Sequence, residues 1–473
     1  MEHVHFIGAG GAGISGLAEI LLLRGIAVSG SDAVRSKKTE ELEALGATLW
    51  IGHDANHIDG ADLVVYSSAV GPDNIERREA ARRGIRLVRR AEFMGELLED
   101  RMLVAVAGTH GKTTVTSMIA SILIEATLDP LVLAGASVRE LGNKNSRAGA
   151  GKVAVAEADE YDRSFLTLHP YIAVLTSLEP EHMDIYGDLE SLKDAFVQFA
   201  NQGPSTFQTG YAIVCIDEPL LREITTRLQK RIVTYGVHSP ETKYRALGLQ
   251  MTAQRTRATL LRAGEAVGEI ELRVPGEHNV KNALAAIATA DVLSIPLEIS
   301  LRALKHFRGA ERRFEWIGEA GGILVIDDYA HHPTELRATL ATARSIYPGR
   351  RIVACFQPHT FSRTRDFAEA FGNVLAEYAD VLVLLDIYPA REEPIDGVTS
   401  ALIADAARAS GMHEIHEAHS PEKLIRVVGN IVRSGDVVLT LGAGTITEAA
   451  PEILKLVNEH QILAPVETEI TSA

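Results

Sequence analysis

Residues 102–119, MLVAVAGTHGKTTVTSMI, constrain this chain more than any other stretch. The apolar run Leu103–Ala107 reads as a buried parallel strand. It breaks into Gly108-Thr109-His110-Gly111-Lys112-Thr113-Thr114, after which Met118, Ile119, Ile122 and Leu123 recur at helical spacing. Strand, glycine loop, lysine, hydroxyl and helix in that order form a phosphate-binding loop. Gly108 and Gly111 let the backbone curl so that its N–H groups face an anion, and the helix N-terminus adds partial positive charge. Lys112 is expected to meet the β- and γ-phosphates and Thr113 to hold Mg²⁺. Only two residues separate the glycines here, whereas the usual pattern has four. The loop predicts nucleoside triphosphate chemistry and leaves the acceptor open.

A second glycine turn lies near the start. Residues 3–8 read as a strand, followed by Gly8-Ala9-Gly10-Gly11-Ala12-Gly13, a helix through Leu17, Ile20, Leu21 and Leu22, and a strand at 26–30 ending in Ser31-Asp32. This βαβ unit predicts a Rossmann-like fold with a diphosphate at the helix N-terminus, and Asp32 is placed either to hold a ribose hydroxyl or to stand as an ordinary solvated carboxylate at a strand end. The glycines are spaced GxGGxG rather than GxGxxG, which supports a diphosphate without implying nicotinamide. His53 in the loop 52–56 and Ser67-Ser68 after the strand 62–66 lie where an open α/β sheet binds ligand. Residues 86–92 are expected to lead directly into a short helix.

Carboxylates follow the phosphate loop at strand ends. The strand 153–156 delivers Glu157-Ala158-Asp159-Glu160; any of the three acids suits Mg²⁺, and Glu157 is nearest the strand. The strand 171–175 leads to Glu181-His182-Met183-Asp184, where His182 is a candidate for a second metal. Residues 205–275 read as several short strands. Asn279 and Asn282 open an alanine-rich helix on one face, placed either to read a purine edge or, for Asn279, to cap the helix. Strands at 323–326, 352–356, 381–385 and 437–441 make a third doubly wound sheet, with polar ends at 327–333, 357–359 and 442–444. The tail after Asn458 is expected to be poorly ordered.

Bulk properties agree. The 473 residues exceed one core. The 47 basic and 63 acidic residues give a net charge of −16, which argues against non-specific nucleic-acid or anionic-membrane binding. Cys215 and Cys355 lie in separate apolar runs without metal-type spacing, as expected of buried thiols in a reducing compartment. No run is long enough to span a membrane, so a cytoplasmic location is expected.

GTHGKTT (108–114), EADE (157–160), EHMD (181–184), GEHNVKN (276–282) and DYAHHP (328–333), in that order, resemble the Mur ligases, ATP-dependent amide-forming enzymes of peptidoglycan synthesis. The resemblance implies an α/β protein of three domains: 1–100 Rossmann-like for the UDP-sugar, 101–309 a P-loop domain for ATP, and 310–473 Rossmann-like for the amino acid. GAGGAGISG (8–16), SSA (67–69), FQPHTFSRTRDF (356–367) and LGAGTI (441–446) look most like the member that adds L-alanine to UDP-N-acetylmuramate.

By that resemblance Gly10, Gly11, Gly13 and Ser15 cradle the diphosphate, with Asp32, His53 and Ser68 nearby. Gly108, Thr109, His110, Gly111, Lys112 and Thr114 surround the ATP phosphates. Thr113 and Glu157 take one Mg²⁺ and His182 a second; Lys112, Glu157 and His182 carry the catalysis. His278, Asn279 and Asn282 hold the adenosine end, Arg313 and Asp328 reach ATP, and His331, His359 and Arg363 are candidates for the amino-acid pocket. The third domain is expected to close over the site and shield a water-sensitive intermediate. Many family members carry a modified lysine well after HMD. Lys193 lies too close in sequence to match it, which favours the alanine-adding type. The oligomeric state is expected to be monomer or homodimer. The competing readings are a ligase that recycles a murein tripeptide onto the same UDP-sugar, an NAD-dependent oxidoreductase, and a non-catalytic nucleotide switch.

Overall fold

The computed structural model of the chain describes residues 2–204, 210–390 and 392–463. Three sheets follow one another along it. The first has five parallel strands, β1 (His3–Ile7), β2 (Ala27–Asp32), β3 (Thr48–Ile51), β4 (Leu63–Tyr66) and β5 (Arg86–Arg89), in the order 3-2-1-4-5. The order reverses beside β1, and the helix Ala12–Leu23 starts there, so the glycine turn sits at the switch point. Residues 86–89 are a strand rather than the start of a helix. Leu87 and Val88 pair with Val64 and Val65, and the helix begins only at Arg90.

The second sheet has ten strands: β6 (Met102–Ala107), β7 (Leu131–Val138), β8 (Lys144–Ala148), β9 (Val153–Glu157), β10 (Ile172–Leu175), β11 (Tyr211–Cys215), β12 (Arg231–Gly236), β13 (Tyr244–Met251), β14 (Thr256–Arg262) and β15 (Glu265–Leu272). They run in the order 15-14-13-12-11-10-6-9-7-8. β6 is central and parallel to both β10 and β9, so the chain ends of these three strands emerge side by side. Leu103–Ala107 are fully enclosed, which is why the run carries no polar residue. Glu19, on the helix after the first glycine turn, accepts Ser146 Oγ (2.5 Å) and pairs with Lys144, tying the first sheet to β8.

The third sheet comprises β16 (Glu315–Ala320), β17 (Ile323–Asp328), β18 (Ile352–Phe356), β19 (Val381–Leu385), β20 (Ile415–Ala418) and β21 (Val437–Leu441), in the order 16-17-21-18-19-20. All pairs are parallel except β16–β17. Alternate residues of β17, β18, β19 and β21 enter two separate apolar clusters, one on each face. The chain divides into two compact units: Met1–Gln250, Thr256–Arg273 and His278–Ala310 form one, and Met251–Arg255, Val274–Glu277 and Glu311–Ala473 the other. The last helix, Ala449–Leu463, continues past Asn458, where a loose tail was expected. The rest of that tail lies outside the described residues. Cys215 and Cys355 are buried thiols, as their apolar neighbours imply.

Candidate active site

In the first unit, β6 ends at Ala107, just before Gly108, and the helix Lys112–Glu125 begins at the lysine itself. Both loop glycines are required. Gly108 has φ +147°, and a Cβ there would lie 2.1 Å from Thr176 Oγ1; Gly111 has φ +83°, and its Cβ would lie 2.8 Å from Asn282 Oδ1. The loop rests on the end of β10: His110 N donates to Ser177 Oγ (2.7 Å), Thr176 Oγ1 to His110 O (2.5 Å), and Thr109 N to Ser177 O (3.3 Å). Thr114 is buried in the first helical turn.

Lys112 Nζ donates to Gly108 O (2.6 Å) and to both oxygens of Glu160 (2.9 and 2.8 Å). Burial works against the ammonium, but the carboxylates of Glu160, Asp159 and Glu157 outweigh it and hold its pKa above the ordinary lysine value. Burial pushes the Glu160 carboxyl the other way, up to about 7, with Lys112 opposing and Asp159 adding to the rise. Thr113 Oγ1 donates to Glu157 Oε2 (2.8 Å), which also accepts Gly135 N (2.7 Å). Of the acids whose role the sequence left open, Glu157 therefore meets the hydroxyl and Glu160 the lysine.

Glu160, Glu181 and His182 each bring one ligand atom within 4.8 Å of the others. Two adjacent carboxylates and an imidazole, both carboxylates buried, make a donor set suited to a divalent cation. His182 occupies left-handed backbone space (φ 56°) at the head of the helix Met183–Tyr186, a costly conformation of the kind that clusters at functional sites. Tyr186 OH donates to Glu160 O (2.6 Å). Asn279 and Asn282 lie inside the helix Glu277–Val292 and are buried, with Asn282 Nδ2 3.4 Å from Asn279 Oδ1. Asn282 packs on Gly111 of the phosphate loop, and His278 is half-buried one residue before Asn279.

At the first glycine turn, Gly8 N and Ala9 N donate to Ser31 O (2.8 and 3.0 Å) and Gly10 N donates to Asp32 Oδ2 (2.8 Å). Asp32 thus braces the turn itself. Gly11 precedes the helix and accepts Ser15 N (2.9 Å). A Cβ on Gly13 would lie 2.8 Å from Arg90 Nη1, so a guanidinium lies over the turn. His53 Nδ1 is 3.0 Å from Ser31 Oγ, and Ser68 is exposed beyond β4.

In the second unit, Arg312 and Arg313 both lie over the Tyr329 ring, at 4.8 and 5.3 Å. Asp328 is buried and accepts Phe314 N (2.7 Å) and Ala330 N (2.8 Å), holding the loops around those arginines. His331, His359 and Arg363 come together: the two rings are 5.6 Å apart, and Arg363 Nη1 donates to His359 Nδ1 (3.2 Å). Glu335 and Tyr388 complete this cluster. Glu335 Oε2 accepts His331 N (3.0 Å) and lies 3.1 Å from His331 Nδ1, while Tyr388 stacks on His359 at 5.8 Å. The sequence reading passed over both; Tyr388 stands just past the strand 381–385, whose end it did not follow.

A parallel-sheet unit with a phosphate loop, a lysine–carboxylate pair and a carboxylate–imidazole cluster at adjoining strand ends defines a nucleotide-dependent α/β enzyme. Residues 3–102 match the Mur ligase family, catalytic domain; 106–290 the Mur ligase middle domain; and 312–444 the Mur ligase, glutamate ligase domain. The chain belongs to the Mur ligase family. It is 47% identical, over 96% of its length and 95% of the relative's, to a UDP-N-acetylmuramate–L-alanine ligase of Salinibacter ruber. Among solved structures it is similar to the UDP-N-acetylmuramate–alanine ligase of Thermotoga maritima (TM-score 0.82, 30% identity, 98% of this chain and 100% of that one). It is also similar to a murein peptide ligase of Psychrobacter arcticus (TM-score 0.70, 26% identity, 97% and 99%).

Proposed function

We propose that the chain is an ATP-dependent ligase that joins L-alanine to the lactyl carboxylate of UDP-N-acetylmuramate, giving UDP-N-acetylmuramoyl-L-alanine, ADP and phosphate in peptidoglycan precursor synthesis. The observation that carries the substrate is the 47% identity over 96% of the chain to a relative of that name. Residues 1–100 take the UDP-sugar, 101–309 ATP, and 310–473 the amino acid. The substrate carboxylate attacks the γ-phosphorus of ATP, the bond to ADP breaks, and an acyl phosphate forms. The alanine amine then attacks the acyl carbon, expels phosphate and loses a proton.

Two anions must meet in the first step, so cationic groups decide the barrier. Lys112 is the protein's own: it exchanges Glu160 and Gly108 O for phosphate oxygens. Thr113 with Glu157, and His182 with Glu160 and Glu181, suit two Mg²⁺ ions, which when bound neutralise phosphate charge. The loop glycines bring backbone N–H groups to the phosphates. Arg313 and Asp328 serve the nucleotide, and His331, His359 and Arg363 the amino acid. No helix among the described residues is long and apolar enough to cross a membrane. The same reading takes the chain as a cytoplasmic monomer or homodimer acting on small molecules.

The test is phosphate release from ATP with UDP-N-acetylmuramate, comparing L-alanine with L-alanyl-γ-D-glutamyl-meso-diaminopimelate. Turnover with alanine alone is expected. Turnover with the tripeptide alone would move the chain to the recycling role.

A further inference from the structure

A fully buried carboxylate stands behind the histidine at the first glycine turn. Glu76 opens the helix Ile75–Arg83, where Asn74 Oδ1 accepts Glu76 N (3.0 Å) and Arg77 N (3.2 Å) and so sets the direction of the Glu76 side chain. That side chain reaches the ends of β2 and β3. Its Oε2 accepts Ser31 Oγ (2.5 Å). Its Oε1 lies 2.7 Å from His57 Nδ1 and accepts Asp54 N (3.3 Å). His57 in turn stacks on Trp50 at 4.5 Å, closing the far side. Burial alone would raise the Glu76 carboxyl, but the His5 imidazole and the donors on Ser31 and His57 outweigh it and hold it at about 2, so the group is ionised at neutral pH.

Hydrogen-bond directions then follow from valence. An ionised carboxylate only accepts, so the Ser31 hydroxyl must give its proton to Glu76. Ser31 Oγ is left as an acceptor. His53 Nδ1 lies 3.0 Å from that oxygen and 3.4 Å from Glu76 Oε2, and both demand a proton from it. His53 therefore carries its proton on Nδ1, and Nε2 is the nitrogen left for a ligand. The same Ser31 holds the glycine turn through its carbonyl, which accepts Gly8 N and Ala9 N. One residue thus orients the histidine and anchors the turn.

We infer that Glu76, acting through Ser31, is a positioning residue for the UDP-sugar: it locks His53 in the Nδ1–H form beside the glycine turn. This rests on the substrate reading above. Glu76→Gln reverses the chain, because an amide can donate to Ser31, which can then donate to His53 Nδ1. Ser31→Ala removes the relay while leaving the carboxylate in place.

The experiment combines two readouts on the full chain. Long-range ¹H–¹⁵N NMR of labelled histidines assigns the His53 tautomer, and steady-state kinetics separate the KM values. Wild-type His53 is expected to be Nδ1–H. Glu76→Gln is expected to show the Nε2–H form and a KM for UDP-N-acetylmuramate raised about tenfold, with the KM for ATP unchanged; Ser31→Ala keeps the carboxylate beside Nδ1 and is expected to retain the Nδ1–H form but to lose the hydrogen bond that fixes the ring, raising the same KM about threefold. A wild-type Nε2–H ring, or variants with an unaltered UDP-sugar KM, would overturn the inference. Should neither variant fold, the wild-type ring decides it alone. Wild-type protein that binds no UDP-sugar by calorimetry yet shows the Nδ1–H ring would sink the substrate assignment and keep the brace.

Discussion

Lys112 and the buried Glu160 form an ion pair, with the ammonium 2.8 and 2.9 Å from the two carboxylate oxygens, at the mouth of a loop built to receive phosphate. The same carboxylate adjoins Glu181 and His182. Glu160 therefore belongs to two groups at once, the lysine that meets the nucleotide and the acids that suit a cation.

That double membership separates two substitutions. Lys112→Met removes the cation and is expected to lower kcat/KM by about a thousandfold or more, since it acts where two anions meet. Glu160→Gln leaves the lysine but removes one charge from the metal-type cluster. It is expected to raise the Mg²⁺ concentration for half-maximal phosphate release about tenfold, with a smaller effect at saturating Mg²⁺. An unchanged Mg²⁺ profile in Glu160→Gln would confine Glu160 to the lysine.

Gly108→Ala tests the loop itself. The new methyl would lie 2.1 Å from Thr176 Oγ1 and 2.8 Å from Ser177 N, at φ +147°. Thr176 also donates to His110 O, so it cannot yield without releasing the loop. Loss of measurable ATP binding by calorimetry is expected, with a cost to stability of about 2 kcal/mol or more. Wild-type ATP affinity in this variant would mean that the loop does not cradle phosphate in the conformation described.

How much of this was readable beforehand depended on whether a residue's partner lay close in sequence. Gly108 to Thr114 announced themselves because loop and helix are contiguous, and β6 ended where its apolar run ended. Glu160 was in view, but its partnership with Lys112 joins residues 48 apart and depends on β6 lying directly beside β9. Glu76 gave no local signal: it looks like an ordinary first-turn glutamate until the end of β2 delivers Ser31 beneath it. Asp32 illustrates the converse. Its position at the end of β2 suggested a ribose, and one oxygen of its carboxylate holds Gly10 N–H. The buried central strands were legible from their apolar runs; the strands 48–51, 131–138, 144–148, 315–320 and 415–418 were not marked, and 86–89 was too short and too basic to read as a strand without its neighbour β4.

Glu335 is expected to tune amino-acid binding. It accepts His331 N and lies 3.1 Å from the same ring's Nδ1, so it sets the direction of that imidazole towards His359 and Arg363. Glu335→Gln keeps the shape and loses the charge. The KM for L-alanine should rise about five- to tenfold while the KM for ATP stays within about twofold. A rise confined to ATP would instead tie Glu335 to Arg313, which it approaches at 3.8 Å.

Asp328 predicts a pH dependence of stability with a definite sign. Burial pushes its carboxyl up to about 6 from an ordinary 3.8, with Arg313 and the N–H groups of Phe314 and Ala330 pulling it back and Glu335 adding to the rise. Between those values the folded chain keeps a proton that the unfolded chain has released. The stabilisation from this group is therefore complete below pH 3.8 and is lost as the pH rises through 6. Integrated from about pH 4 to pH 7, the loss is about 2 kcal/mol. Asp328→Asn removes the titration but also turns one amide N–H₂ towards a backbone donor, so it starts out less stable than wild type. The gap between the two proteins in urea unfolding should then narrow by about 2 kcal/mol as the pH is raised from about 4 to 7, because only wild type loses stability through this group. A gap that stays constant with pH would mean that Asp328 is ionised throughout, held so by Arg313 rather than neutralised by burial.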